Sequence, residues 1–329
     1  MRDDTKSHAV APYRAPAWLR GGHAQTIWPT VMRLPAMPLR RERVETGDGD
    51  FWDFDWLDAP ADDGAPLVVL FHGLEGSAAS PYARALFARL AALRWRGVVP
   101  HFRGCGGEPN RLPRAYHSGD HVEVGAILGA VRERVHDAPR TFAAGVSLGG
   151  SALLNWLGRA GRDAESWLAG AAAISAPLDL SAAGYAIGHG ANRLYTRYFL
   201  HTLKPKALAM AARFPGLLDP RSLRAIRSMW EFDERVTAPL HGFAGADDYW
   251  TRASSKPWLR DVAVPTLVLN ARNDPFIPAQ SLAHRAEVSD AVVLEQPATG
   301  GHAGFVTGRA PGRLDWVPRR LTAFFADGV

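Results

Sequence analysis

The most constraining feature of this chain is a turn. Thr141–Val146 is a short apolar run, and Gly145-Val146-Ser147-Leu148-Gly149-Gly150 leads from it directly into 148–157, whose apolar residues are spaced for a helix. A strand that becomes a helix within two residues forces the residue at the bend into a strained backbone, so its neighbours must be small. Gly145, Gly149 and Gly150 supply that room. Such a bend lifts the Ser147 hydroxyl above the strand's carboxyl end, at a helix N-terminus. There the free N–H groups and the helix dipole favour a developing negative oxygen.

The flanking sequence repeats the same rhythm. Leu67–Phe71, 95–102 and 168–174 are further apolar runs; helices follow from Ser80-Pro81 with Leu86, Leu90 and Leu93, and from Val124, Ile127, Leu128, Val131 and Val135. Strands alternating with helices predict an α/β fold, a mostly parallel, doubly wound sheet with helices on both faces. Before this region, 41–57 holds two alternating runs around Thr46-Gly47-Asp48-Gly49, the pattern of a hairpin at a sheet edge. After Leu178 the alternation stops. The following residues read as helical and aromatic, and strands resume at 265–270 and 291–296 before a last helix at 318–325. A long insertion between late strands predicts a functional cap. The expected layout is an irregular N-terminal arm (1–40), a core (41–179 and 263–329) and a helical cap (180–262).

A serine hydroxyl becomes a nucleophile when a histidine takes its proton, and that histidine needs a carboxylate to fix its tautomer. In the α/β-hydrolase fold the order along the chain is serine, acid, histidine. Asp274, in Asn273-Asp274-Pro275-Phe276, follows one late strand, and His302, in Gly300-Gly301-His302-Ala303-Gly304, follows the next. Both sit at carboxyl ends of strands, where such sheets bind ligands. Asp247 and Asp248 are rival acids but fall in the cap. His284 is a rival base but falls in an expected helix between the last strands. The predicted catalytic set is Ser147, Asp274 and His302. The predicted oxyanion donors are the amides of Leu148 and of Leu74, the latter in Phe71-His72-Gly73-Leu74-Glu75-Gly76 after the first long parallel strand. His72 is expected to brace that loop.

Composition narrows the function classes. The 329 residues are 47% hydrophobic and 22% charged, enough for a large core. The net charge of +5 is spread through the chain, without the dense basic stripe of a nucleic-acid binder. It is compatible with a loose attraction to anionic lipid surfaces. A single cysteine, Cys105, forbids an intrachain disulfide. With no recognisable leader and no long apolar span, the expected location is cytoplasmic. Cys105 is read as a packing residue. His117 and His121 are spaced i, i+4, but no third ligand is evident, so no metal or organic cofactor is expected. The basic, aromatic stretch 192–214 is read as a helix packed on the body.

Several longer motifs carry a resemblance over almost the whole chain. They are Gly22-His23-Ala24-Gln25-Thr26-Ile27-Trp28-Pro29-Thr30, Phe71-His72-Gly73-Leu74-Glu75-Gly76-Ser77 and His101-Phe102-Arg103-Gly104-Cys105-Gly106-Gly107-Glu108-Pro109-Asn110. Tyr116-His117-Ser118-Gly119-Asp120, Trp230-Glu231-Phe232-Asp233 and the acid and histidine motifs continue the series. In these the chain resembles the YheT-like family of α/β hydrolases, esterases related to lipid-hydrolysing abhydrolases of eukaryotes. The resemblance implies Ser147, Asp274 and His302 as the charge-relay set and hydrolysis of carboxylic esters, with short-chain esters or monoacylglycerol-like lipids as substrates. Thioesterase, acyltransferase or peptidase chemistry on the same scaffold, or a non-catalytic binding role, are the alternatives.

Overall fold

The computed structural model describes residues 10–136, 138 and 140–327. A helix, α1 (Gly22–Val31), comes first, followed by the hairpin strands β1 (Leu39–Glu45) and β2 (Phe51–Leu57). Next come β3 (Leu67–Phe71), α2 (Pro81–Ala92), β4 (Arg96–Pro100), α3 (His121–Arg132), β5 (Thr141–Val146), α4 (Leu148–Ala160) and β6 (Gly170–Ile174). The inserted segment holds α5 (Leu180–Ile187), α6 (Arg193–Arg213), α7 (Pro220–Ala225), α8 (Met229–Phe232), α9 (Ala238–His241) and α10 (Ala246–Ala253). Then β7 (Thr266–Leu269), β8 (Val292–Glu295) and α11 (Trp316–Asp327) complete the described chain.

The strands form an eight-stranded sheet in the order β1-β2-β4-β3-β5-β6-β7-β8. From β4 to β8 all neighbours are parallel, and the hairpin adds antiparallel strands at one edge. Side-chain alternation assigns the two faces. Leu67, Val69 and Phe71 of β3 pack with Ala143 of β5 under α3 and α4, against Ile127, Leu128, Leu153 and Leu157. Val68 and Leu70 join Phe142 and Ala144 under α2 and α11, against Leu86, Leu90, Leu321 and Phe325. Because strand side chains alternate with period two, a sheet buried on both faces needs strands apolar at every position, as β3 is. This is the predicted doubly wound sheet.

Two expectations are corrected. The arm is not irregular throughout, because Gly22–Val31 is a helix with Pro29 inside it. No α-helix lies between β7 and β8 either; 3₁₀ turns at Ala279–Ser281 and Arg285–Glu287 bridge them, and His284 precedes the second. The inserted helices carry a cluster of their own, with Leu200, Leu203, Leu223, Ile226, Phe232 and Val236 packed together. Among the described residues no helix is long and apolar enough to cross a membrane.

Candidate active site

Ser147 sits between β5 and α4 with φ 54° and ψ −121°, a left-handed backbone for a residue with a side chain. Its N–H donates to the Ile174 carbonyl of β6 at 2.8 Å, which holds the bend against the next strand. The bend is feasible because a Cβ on Gly149 would collide with the main chain of Phe71 and His72. The Ser147 Oγ lies 2.9 Å from His302 Nε2, and His302 Nδ1 lies 2.8 Å from Asp274 Oδ2. The Asp274 side chain is fully buried, and its other oxygen accepts the Phe276 N–H at 2.8 Å. With a carboxylate accepting at Nδ1, Nε2 is the nitrogen left to accept the serine proton. The structure therefore brings Ser147, Asp274 and His302 into one hydrogen-bonded row. The rival acids are engaged elsewhere. Asp247 accepts from Tyr185 and Trp230, and Asp248 pairs with Arg252. His284 is exposed.

The loop that carries His302 is tied down one amide after another. Gly301 N–H donates to Asn273 Oδ1 at 3.0 Å, His302 N–H to Thr26 Oγ1 at 2.9 Å, and Ala303 N–H to Ser175 Oγ at 2.9 Å. Three residues on, Val306 N–H donates to the fully buried Gln25. Thr26 and Gln25 belong to α1, and a Cβ on Gly304 would strike the Gln25 carbonyl. The N-terminal helix thus braces the loop that carries His302. The sequence showed Gln25, Thr26 and Asn273 inside long motifs without indicating what they touch, and Ser175 stood in no motif.

The second loop shows similar accounting. Gly73 N–H donates to the Tyr82 hydroxyl at 2.9 Å, and Glu75 N–H to the Tyr116 hydroxyl at 2.7 Å. The Leu74 amide between them has no partner among the described residues. Burial raises both tyrosines' pKa, so both hydroxyls stay protonated. The Leu148 N–H opens α4, where helix geometry leaves amides unpaired. Leu74, Leu148, Ser147 and His302 all border one cavity of about 480 Å³. His72 braces the loop as expected. Its Nδ1 faces the Gly73 carbonyl at 2.8 Å, and its Nε2 accepts the Phe102 N–H at 3.1 Å. Burial, with His101 nearby, pushes its pKa down to about 3, which keeps it neutral.

The cavity runs between the sheet's carboxyl edge and the inserted helices. Ala183, Ile187, Phe199, Leu203, Met210, Phe232 and Val236 form much of its wall, and Phe276 packs its ring 4.3 Å from that of His302. Cys105 lies off this row. Burial pushes its thiol up to about 12, leaving no thiolate at neutral pH. His117 is a largely buried ring packed 4.5 Å from that of His241, and desolvation drives the pKa of both down to about 3, which keeps them neutral. Among the described residues no group of three or more His, Cys, Asp or Glu could hold a metal ion.

Comparison with known proteins bears on the fold and the family. The model of the alpha/beta hydrolase fold family matches residues 66–309. YheT of Escherichia coli strain K12, an inferred esterase, is 38% identical over 303 residues, 91% of this chain and 88% of that protein. The chain belongs to the YheT-like family of α/β hydrolases. A further member of this wider family, phospholipase ABHD3 of Mus musculus, is 31% identical, covering 95% of this chain and 77% of its own. Among solved structures, a Pyrococcus furiosus esterase superimposes with a TM-score of 0.57 at 13% identity, covering 98% of this chain and 99% of that one. At that identity it shows the α/β-hydrolase fold and nothing finer.

Proposed function

We propose that this YheT-like α/β hydrolase is a serine esterase that cleaves carboxylic esters of lipids, with residues 180–262 as a cap over the site. The observation that carries the reading is the Ser147–His302–Asp274 row opening into a large apolar cavity. Oxygen and nitrogen at 2.9 Å allow His302 to take the Ser147 proton as the hydroxyl attacks the ester carbonyl. The Asp274 carboxylate holds Nδ1 and steadies the imidazolium. The carbonyl oxygen gains charge beside the Leu74 and Leu148 amides, which face it without reorganising. His302 then gives its proton to the departing alcohol, leaving an acyl-serine. Water activated by the same histidine releases the acid. No cofactor enters these steps.

The cavity supports a lipid rather than a small ester. Volumes of this order enclose ligands with many apolar atoms, and most of the exposed wall is apolar although charged groups such as Glu75, Lys206 and Arg213 border it. That favours monoacylglycerol-like or other long-chain esters, a class in keeping with relatives named as phospholipase and monoacylglycerol lipase. The cap's outer side is basic, with Arg193, Arg197, Lys204, Arg224 and Arg227 along a shallow groove and exposed Leu194 and Tyr198 on the same helix, α6. This supports weak contact with an anionic lipid surface. Cosedimentation with phosphatidylglycerol vesicles but not with phosphatidylcholine vesicles is the expected result, and binding to neither removes that part.

The main test pairs a fluorophosphonate probe with p-nitrophenyl esters of rising chain length. The folded wild type should label and turn over. Ser147→Ala should lose labelling and at least about 10⁴-fold in kcat. A folded wild type that neither labels nor hydrolyses any ester sinks the proposal.

A further inference from the structure

Three consecutive amides, at residues 73 to 75, set the aim of the Leu74 N–H. Body residues hold the outer two, through Tyr82 and Tyr116. The cap also reaches this loop, at two points. The Leu74 side chain packs against the cap cluster that includes Leu200 and Leu203. Lys206 of α6 places Nζ 2.8 Å from Glu75 Oε1. That same oxygen accepts the Tyr116 hydroxyl at 3.0 Å. Glu75 has φ 56°, a left-handed backbone for a residue with a side chain, directly after the unpaired amide. A strained residue persists when its surroundings over-determine it. Here the surroundings are a half-buried tyrosine on the body and a lysine on the cap.

Resting on the esterase reading, we propose that Lys206 and Glu75 form a positioning latch through which the cap sets the oxyanion donor Leu74. The Glu75 carboxylate is 8% exposed and Lys206 is 45% exposed, so the charge that needs a partner is on the loop. Without the ammonium, the Glu75 carboxylate keeps one neutral hydrogen bond, from Tyr116, and water or a backbone shift must satisfy the rest. Either outcome moves residue 75 and with it the plane of the peptide that carries the Leu74 N–H. An oxyanion donor acts on the transition state more than on the bound ester, so misaiming it lowers kcat and leaves KM nearly unchanged. The latch thereby makes turnover depend on a seated cap, since the cap helix that walls the cavity also holds the donor loop in place.

The test is a double-mutant cycle on the full-length protein with p-nitrophenyl butyrate, alongside melting temperature and the rate of Ser147 labelling by fluorophosphonate. Lys206→Met and Glu75→Gln should each lower kcat about tenfold, part of the 10²–10³-fold that an entire oxyanion donor supplies, with KM within about twofold. Lys206→Met should melt no more than a few degrees below the wild type and stay folded at the assay temperature, so that the lost rate is not lost protein. The double variant should be no slower than either single, and Lys206→Arg should recover most of the rate. Wild-type kcat in Lys206→Met, or losses that multiply in the double variant, would overturn the latch. An inert, unlabelled wild type would overturn the esterase reading instead.

Discussion

At the scale of single residues, the site depends on side chains that accept from specific main-chain amides. Thr26 accepts the His302 N–H and donates to the Gly22 carbonyl at 2.8 Å. Thr26→Val keeps the shape and removes the acceptor, which should destabilise by about 1–3 kcal/mol. It should also slow turnover about 3- to 10-fold through misplaced imidazole. Thermal melts and steady-state kinetics check both, and a variant unchanged in each refutes the tie. Asp233, on the cavity wall, behaves differently. Burial raises its pKa to about 6 despite hydrogen bonds from Thr237 and Trp250. The unfolded chain ionises it near pH 4 while the folded chain resists, so stability falls as pH rises from about 4 to 6. Above that the full penalty applies, on the order of 2–3 kcal/mol. Asp233→Asn should therefore melt above the wild type at pH 8, with the difference shrinking toward pH 5. A difference that is constant with pH refutes the assignment.

At the scale of elements, α1 and the proposed cap can be tested separately. The buried Gln25 donates to the Leu19 carbonyl at 2.7 Å and accepts from Val306. Gln25→Ala strands both groups and should destabilise by roughly 2–3 kcal/mol, seen as a lower denaturant midpoint. The cap should instead govern chain length. Ala183 of α5 lines the cavity, and Ala183→Phe places a ring in it. The ratio of kcat/KM for dodecanoate over butyrate esters should fall by about tenfold or more, with butyrate hydrolysis largely kept. An unaltered ratio would mean that acyl chains do not lie along α5. The strands and helices of the sheet were legible in the sequence because each is decided by apolar spacing within a few residues. The segment between β7 and β8 has ambiguous spacing; it forms 3₁₀ turns, with the Ala283 carbonyl accepting from the Gln296 side chain and the Ser289 N–H donating to the Leu259 carbonyl, so backbone groups find partners outside a helix.

At the scale of the whole molecule, buried neutral histidines set the acid limit. Burial holds His72, His117 and His241 near pKa 3 in the folded chain, whereas each protonates near 6.5 when unfolded. Their stabilisation is complete above about pH 6.5 and is lost as pH falls toward 3. Each loses about 1.4 kcal/mol per pH unit in that window. Asp233 acts in the opposite sense between about 6 and 4, leaving a net slope of about 3 kcal/mol per pH unit. Against a typical domain stability of about 5–15 kcal/mol, the melting temperature should drop steeply below pH 6. A flat melting temperature from pH 7 to 5 would contradict this.

What the sequence determined by itself is what local physics decides: the parallel sheet, the bend at Ser147, the position of an acid and a histidine after successive strands. Those follow from apolar period, glycine at a tight turn and chain order. What holds these parts in register is set by contacts between residues far apart in the chain. Thr26 meets His302 across 276 residues of chain, and Lys206 meets Glu75 across 131. No periodicity links such pairs. They are matched by the need of each buried amide or charge for a partner, and that need is met in space rather than along the chain.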